Sequence, residues 1–162
     1  MKTTSCGILV CNAHDELLLC HATGTSFWDI PKGCAEAGES PLQTALREAA
    51  EECSLVFVPA DLLELGHFPY RAGKDLHLYA ALIDRVDTAR CRCHTQFRDR
   101  FGRLRSEMDD FAWVPFAELP HRCAKSMSAL LTGRLPIETV ARRLRERAQV
   151  AVPRWWNDGA AP

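Results

Sequence analysis

The chain has 162 residues, of which 47% are hydrophobic and 25% are charged, and its formal net charge is −1. These values are typical of one soluble globular domain with a single core. The net charge is too close to zero to attract nucleic acid or an anionic membrane to the chain as a whole. No run of the sequence approaches the roughly 20 apolar residues that span a bilayer. The chain starts with a strand–turn–strand pattern rather than a signal peptide. We therefore predict a cytoplasmic protein whose eight cysteines are mostly free thiols.

The first half of the chain carries the clearest secondary-structure signals. Short apolar runs at 7–11 and 17–22 predict two buried strands around a turn. A further strand over 27–33 is cut off by a proline and a glycine. The apolar residues over 41–53 recur at the spacing of one helix face, which predicts a helix there.

The second half mixes strands and helices around one long polar stretch. Residues 84–110 are arginine-rich and lack periodicity, which indicates a long loop or a partly ordered insertion. The other predicted elements are hairpin strands at 62–70 and 76–83, a strand at 110–115, and helices at 126–131 and 137–150. Because strands and helices alternate without βαβ regularity, we predict an α+β fold, or a mixed sheet between helices. One domain is expected over 1–152, followed by a tail at 153–162.

Three glutamates on the predicted helix at 41–53 indicate a chemical role for this segment. Ser40 and Gln43 form a capping-box pattern that specifies where the helix begins. At about 100° per residue, Glu48, Glu51 and Glu52 lie side by side at the rim of its apolar face. Like charges at this spacing repel and raise each other's proton affinity unless a cation neutralises them. The pattern therefore indicates either a Mg²⁺ site, since this ion takes carboxylates and substrate phosphates, or an acidic face in solvent.

The loop before this helix supplies further candidate residues. It turns at Gly33 and leads through Glu39 into the helix, so a loop that folds back would bring Glu39 and the Gly33 carbonyl towards the helix carboxylates. Arg47 lies four residues before Glu51 and could pair with it. In such a pair Arg47 would fix the orientation of the Glu51 carboxylate without contacting the metal ion itself.

The stretch Gly33–Leu55 reads G-x5-E-x7-R-E-A-x-E-E-x-S-L. It resembles the box of the Nudix hydrolases, G-x5-E-x7-R-E-U-x-E-E-x-G-U, in which U is a bulky apolar residue. The first glycine, the arginine and all four glutamates match at the required spacings, over 23 of the 162 residues. Two positions depart, because Ala49 is small and Ser54 replaces a glycine. A non-glycine residue at a left-handed helix stop costs on the order of 1 kcal/mol, so we expect a slightly strained or rearranged loop with activity kept.

The resemblance implies an α/β/α sandwich with a mixed β-sheet. It also implies an enzyme that cleaves a diphosphate linkage in a nucleoside diphosphate derivative. Carried over by position, Glu48, Glu51 and Glu52 would coordinate Mg²⁺ or Mn²⁺, and Arg47 would orient a glutamate. Glu39 and the Gly33 carbonyl would complete the metal site.

In this family, two kinds of residue serve as the general base, and the sequence does not decide between them. It is either a box glutamate, here Glu51 or Glu52, or a glutamate from a later loop. Glu107 is the best candidate outside the box because it just precedes the predicted strand at 110–115. The alternative for Glu107 is a solvated loop charge.

Candidate substrate residues lie outside the box. The stretch SFWDIPKG resembles the segment before the box in Nudix members that act on dinucleoside polyphosphates and diphosphoinositol phosphates. Lys32 could contact a phosphate as a mobile charge, and Trp28 could pack against a base or belong to the core. Tyr70, Arg71 and Lys74 are candidates for ring stacking and phosphate contact, unless they form an ordinary solvated turn.

The first functional prediction is a metal-dependent pyrophosphohydrolase, with a dinucleoside polyphosphate as its substrate. Oxidised nucleotides, ADP-ribose and the 5′ end of RNA are alternative substrates, and a non-catalytic nucleotide sensor is an alternative class. Beyond a nucleotide-type small molecule, the sequence predicts no membrane partner and no nucleic acid other than the 5′ end of an RNA, and it leaves a homodimer open. The segment Cys91, Cys93 and His94 lacks a second ligand pair at zinc spacing, which favours a reduced loop over a zinc site.

Overall fold

A computed structural model of the chain describes residues 1–150. The predicted tail at 153–162, like the domain boundary at 152, lies outside these residues. Within residues 1–150, every helix is too short or too polar to cross a lipid bilayer. All eight cysteines are free thiols, as predicted.

The described residues form a mixed set of strands and helices. The strands are β1 (Thr3–Cys11), β2 (Glu16–Ala22), β3 (Trp28–Asp29), β4 (Lys32–Cys34), β5 (Leu63–Arg71), β6 (Lys74–Leu82), β7 (Gln96–Arg98), β8 (Leu104–Ser106) and β9 (Met108–Pro115). The helices are α1 (Pro41–Cys53), α2 (Leu119–Arg122), α3 (Lys125–Ala129) and α4 (Ile137–Val150). Short 3₁₀ turns occur at Pro59–Asp61, Thr88–Arg90 and Phe116–Glu118, and a π-helical turn follows α3 at Leu130–Arg134.

Strand β1 is the centre of the sheet and is parallel to β6 along its whole length. Strand β5 pairs with β6, and the short strand β4 pairs with β1, both antiparallel. On the other side, β2 joins β1 through the single pair Cys11↔Leu17 and pairs along its length with β9. The sheet is therefore mixed, and it splays where β1 and β2 separate.

The two faces of the sheet carry two separate apolar cores, where the sequence predicted a single one. Cys6, Ile8 and Val10 point to the core that α1 covers, whereas Leu9 and Cys11 point to the core covered by α2, α3 and α4. This alternation follows from the two-residue period of a strand, and a sheet buried on both faces reads as a continuous apolar run. The architecture is an α/β/α sandwich with a mixed sheet, so the predicted fold class is correct.

The predicted helix at 41–53 has the predicted bounds, because its signals are local. Ser40 Oγ accepts the backbone N–H of Gln43, and Gln43 Oε1 accepts that of Ser40, which completes the capping box. The predicted strand at 27–33 is interrupted and becomes β3 and β4. The hairpin loop between β5 and β6 contains only residues 72–73, shorter than expected.

The stretch at 84–110 is the partly ordered insertion and not a structureless loop. It contains the turn at Thr88–Arg90, the hairpin of β7 and β8, and the first residues of β9. The side chains of β7 are exposed, so the hairpin has no apolar alternation that a sequence could display. Helix α2 was also missed, since four residues are too few for helical periodicity.

Candidate active site

Helix α1 places its glutamates beside strand β4. One stripe of the helix, including Ala45, Ala49 and Cys53, is buried against the sheet. The capping box fixes where the helix begins and thereby the direction of every later side chain. Glu48 and Glu52 lie next to this stripe and are buried with it, with 8% and 3% of their surface exposed.

Glu48 lies directly against the backbone of Gly33 in β4. A Cβ atom added to Gly33 would come well under 3.0 Å from all three carboxyl atoms of Glu48. Glycine is therefore the residue that lets the strand and this carboxylate approach each other. Burial raises the pKa of Glu48, which the neighbouring charges of Glu51 and Glu107 raise further and Arg47 opposes.

Glu52 is the most deeply buried carboxylate of the group. Its Oε2 accepts the backbone N–H of Lys32 at 2.8 Å. Burial raises the pKa of Glu52 to about 8, although that N–H and the Lys32 charge act in the opposite direction. A carboxylate in this environment gains free energy from any cation that binds it.

Arg47 connects the acidic residues to one another. Its Nε and Nη2 donate to the two oxygens of Glu39 at 2.7 and 3.0 Å, and Nη1 donates to Glu48 and Glu51 at 2.9 Å each. Nη2 also donates to the carbonyl of Cys34 at 3.0 Å. Arg47 and a backbone N–H together lower the pKa of Glu39 to about 2. Glu39 thus holds the guanidinium in place.

Glu107 approaches the box carboxylates from the far end of the insertion. It immediately precedes β9, and its Oε2 accepts the hydroxyl of Thr95 at 3.2 Å. Its negative charge raises the pKa of both Glu48 and Glu52, so it acts on the same site. Its role as a general base stays a prediction.

The donor set suits a hard divalent cation. Glu48, Glu51 and Glu52 offer carboxylate oxygens, and two of these groups are buried with a raised proton affinity. Within residues 1–150, however, no three acidic, histidine or cysteine side chains converge as a complete metal site. Arg47 Nη1 lies between Glu48 and Glu51, so a cation would compete with it for the same oxygens. Coordination by the Gly33 carbonyl stays a prediction.

We expect the metal-free protein to become less stable as pH rises from about 4.5 to about 8. The pKa of Glu52 is raised from its ordinary value of 4.5 to about 8 in the folded state. A raised acid pKa contributes stability that is fully present below the unfolded value and is lost as pH rises through the folded value. Urea unfolding in EDTA at pH 5.5 and 8.5 measures the loss, and Mg²⁺ should restore stability at pH 8.5.

Glu52→Gln is the control for this pH dependence. It keeps the shape of the side chain and removes its titration, so most of the difference between pH 5.5 and 8.5 should disappear. An unchanged difference in the variant would assign the effect to other groups. Glu39 titrates in a separate window, because its pKa is lowered to about 2.

Ser54, which stands where the family has glycine, adopts the left-handed conformation with φ 62° and ψ 20°. Its hydroxyl donates to the Arg92 carbonyl at 3.0 Å and lies 3.0 Å from His94 Nε2. The backbone N–H of His94 donates to the Glu51 carbonyl at 2.6 Å. The serine therefore ties the insertion to the end of α1. Cys93 contacts Thr95 instead of a metal ligand set.

Ser54→Ala should be less stable than Ser54→Gly by about 1 kcal/mol. Alanine keeps the cost of the left-handed backbone and loses the hydroxyl contacts, whereas glycine removes that cost. Urea unfolding of both variants and the wild type measures the order. Equal stability of Ser54→Ala and the wild type would mean that the hydroxyl does not anchor the insertion.

The predicted substrate residues are brought together only in part. Lys32 is not mobile, because its Nζ pairs with Asp29 at 2.7 Å. Burial alone would lower the pKa of Lys32, but the charge of Asp29 raises it. Burial and then the Lys32 charge lower the pKa of Lys74, which places the two amines near each other.

Tyr70 and Arg71 line one cleft of about 320 Å³ together with Ser126 and Arg134. Its mixture of an aromatic ring and two guanidinium groups suits a base and a phosphate.

Trp28 packs against the core and also contacts polar neighbours. Its ring centroid lies 5.2 Å from that of His21, and the Arg122 guanidinium lies 5.7 Å from it. Packing against the core, the second alternative given for Trp28, therefore accounts for its position.

Sequence reasoning missed Asp29, Thr95 and Arg134. Asp29 precedes Lys32 by three residues in the segment SFWDIPKG, so a local ion-pair signal was present. Thr95 and Arg134 meet their partners across long sequence separations, and no local pattern marks them.

Comparison with known proteins gives a consistent family assignment. A sequence model of the NUDIX domain matches residues 1–133. An uncharacterised 17.7 kDa protein of enterobacteria phage T4 is 37% identical over 144 residues, which cover 82% of this chain and 95% of the phage protein. An RNA pyrophosphohydrolase of Psychrobacter arcticus is 24% identical over 126 residues, 68% of each chain.

A solved structure has the same fold. The Ap4A hydrolase of C. elegans, in a binary complex, superposes with a TM-score of 0.61 over 84% of this chain and 98% of that chain. At 21% sequence identity, this likeness concerns the fold alone.

Proposed function

Because this chain belongs to the Nudix family and is a hydrolase that acts on pyrophosphate bonds, we propose that it cleaves a dinucleoside polyphosphate with the help of Mg²⁺ or Mn²⁺. One observation carries the proposal: Lys32 joins the two halves of the site. Its backbone N–H binds Glu52, and its side chain lies among charged groups near Tyr70 and Lys74. Carboxylates for a cation thus adjoin positive charge for phosphates.

In the proposed mechanism Glu48, Glu51 and Glu52 would hold the cation. When bound, the ion would neutralise diphosphate charge and make the attacking water more acidic. Arg47 fixes the orientation of Glu48 and Glu51 through its Nη1 contacts. We propose Glu107 as the group that takes the proton from water, since it is only half-buried. Glu51 and Glu52 are the alternatives.

The cleft of Tyr70 and Arg71 supports a nucleoside polyphosphate as the substrate. It offers a ring for stacking and, with Arg134, two guanidinium groups for phosphates. The C. elegans structural neighbour is an Ap4A hydrolase by name, which agrees with this choice. A cytoplasmic location is part of the proposal and agrees with the free thiols.

The 5′-triphosphate end of RNA is the second candidate substrate. It is favoured by the relative named RNA pyrophosphohydrolase and by an arginine-rich hairpin next to Glu107. ADP-ribose and oxidised nucleotides contain the same diphosphate group and stay as further alternatives. A sensor without catalysis is disfavoured because all four box glutamates are present.

A product panel tests the proposal. The protein is incubated with Mg²⁺ and, separately, diadenosine tetraphosphate, ADP-ribose, an oxidised dGTP and a 5′-triphosphate RNA, and the products are resolved. We expect the highest kcat/KM with diadenosine tetraphosphate. Exclusive cleavage of another substrate would refute this assignment, and binding without any hydrolysis would make the protein a sensor.

A further inference from the structure

Strands β7 and β8 form a hairpin, residues 96–106, that projects from the candidate active site; we call it the arm. Its two ends are joined at Thr95 and Glu107, where the Glu107 N–H donates to the Thr95 carbonyl at 3.1 Å. The Thr23 N–H donates to the Glu107 carbonyl at 3.0 Å, which attaches this base to the sheet. At about 3.3 Å per strand residue, the tip lies about 15 Å from its base. A ligand that binds along the arm from its tip to its base would therefore reach Glu107 at the base.

The arm carries a strong local positive charge in a chain whose net charge is −1. Its four arginines, all exposed, are Arg98, Arg100, Arg103 and Arg105. The one acidic residue, Asp99, accepts the backbone N–H groups of Phe101 and Arg103 and so is used to shape the turn. The arm has a net charge of +3, which is complementary to a polyanion.

Two exposed aromatic rings lie among these arginines. Phe97 is 37% exposed and Phe101 is 65% exposed. The guanidinium groups of Arg100 and Arg103 lie 4.8 and 5.3 Å from the centroid of the Phe101 ring. Alternating cations and aromatic rings are the combination that binds single-stranded nucleic acid, because bases stack on rings while cations contact the phosphates.

An open cleft of about 540 Å³ lies between the arm and the turn after β2. Phe97, Phe101 and Arg105 line one side, and Thr23 and Gly24 line the other. The Thr23 hydroxyl is buried and has no hydrogen-bond partner within residues 1–150. The cleft has the size of an ordinary ligand site and a wall that supplies both stacking and charge.

We propose that the arm binds the single-stranded RNA chain that follows a 5′-polyphosphate end. This inference rests on the second substrate of the proposed function and assigns that RNA its binding surface. A dinucleotide has no chain to follow the arm to its tip, whereas RNA presents one phosphate and one base per nucleotide. A membrane surface would use the positive charge but would not account for a cleft lined by rings, one of whose residues, Thr23, binds the backbone of Glu107.

RNA binding is measured without hydrolysis. The probe is a 12-nucleotide, 5′-monophosphate RNA in EDTA, followed by fluorescence anisotropy at several salt concentrations. A plot of log affinity against log salt concentration has a negative slope, to which each phosphate contact on a single strand contributes roughly −0.7. The double variant Arg100→Gln, Arg103→Gln should therefore make this slope less steep by about 1.4. Phe101→Ala should weaken binding about fivefold to a hundredfold.

The matched control is Arg142→Gln with Arg143→Gln on the exposed side of α4, which removes the same charge elsewhere. This control should keep the wild-type slope. An equal loss in the control would show non-specific attraction and overturn the proposal. Absence of RNA binding by the wild type, or binding only to phosphatidylserine vesicles, would overturn it as well.

Hydrolysis separates this inference from the proposed function. The variant with Arg100→Gln and Arg103→Gln should raise KM for a 5′-triphosphate RNA at least about fivefold and leave kcat/KM for diadenosine tetraphosphate unchanged. Equal losses on both substrates would mean that the arm contacts the polyphosphate itself, which contradicts the proposal. Arm-dependent RNA binding by a protein that hydrolyses nothing would support the arm and refute the proposed function.

Discussion

Glu52→Gln is expected to fold like the wild type and to turn over substrate at least about 100-fold more slowly. The amide can still accept the Lys32 N–H that Glu52 accepts at 2.8 Å, so the local structure should persist. The variant lacks the negative charge, and a hard cation then loses an anionic ligand. Because burial raises the pKa of Glu52 to about 8, a neutral group here should also stabilise the metal-free protein at pH 8.5. Initial rates across a Mg²⁺ titration and thermal unfolding measure the two effects.

Glu51→Gln should lose activity as well, but without the gain in stability. Its side chain is more exposed than that of Glu52, so its charge costs less in the metal-free protein. Glu146→Gln, on the exposed side of α4, removes one carboxylate away from the site and should keep wild-type rates. Near wild-type activity of both box variants at saturating Mg²⁺ would rule out the carboxylate assignment.

Gly33→Ala is expected to destabilise the fold by about 1–3 kcal/mol and to reduce activity at least about tenfold. Its Cβ would overlap the Glu48 carboxylate, which is itself buried. The strand cannot easily retreat, because Gly33 is paired with Cys6 on the central strand β1. The carboxylate must therefore move away from its position beside Glu52. Urea unfolding and the apparent Mg²⁺ affinity from initial rates measure the two losses.

Gly133→Ala is the matched control, since a Cβ at that position meets no atom within 4 Å and the backbone is not left-handed. It should leave stability and rate near the wild type. A double variant locates the cause more sharply: if the clash is with Glu48, Gly33→Ala should cost much less stability in a Glu48→Ala background. Equal costs in both backgrounds would contradict this account.

The candidate site could be predicted from the sequence where it depends on one helix. The spacing of Glu48, Glu51 and Glu52 and the capping residues before them act over four residues or fewer, so the helix geometry follows directly from their order. The matching glycine and arginine of the box then identified the family. The fold class followed from the same resemblance and agrees with the two-faced sheet.

Other parts of the site depend on contacts across long sequence separations. Lys32 was expected to be a mobile charge, but its backbone N–H binds Glu52, which lies 20 residues away in the sequence. The closeness of Glu107 to the box carboxylates requires an insertion that folds back, which Ser54 and His94 anchor. No periodic pattern marks such contacts, because each is a single pair of polar groups.

The sequence by itself determined the family, the position of α1 and the identity of the acidic residues, since these depend on residue type and local spacing. The tertiary structure alone decided how deeply each carboxylate is buried, and burial sets the pKa of Glu52 at about 8. It also decided that four arginines of the insertion, Arg98, Arg100, Arg103 and Arg105, lie on one hairpin next to Glu107. Burial and juxtaposition arise from the packing of distant segments, and that packing is the physical reason that local spacing could not reveal them.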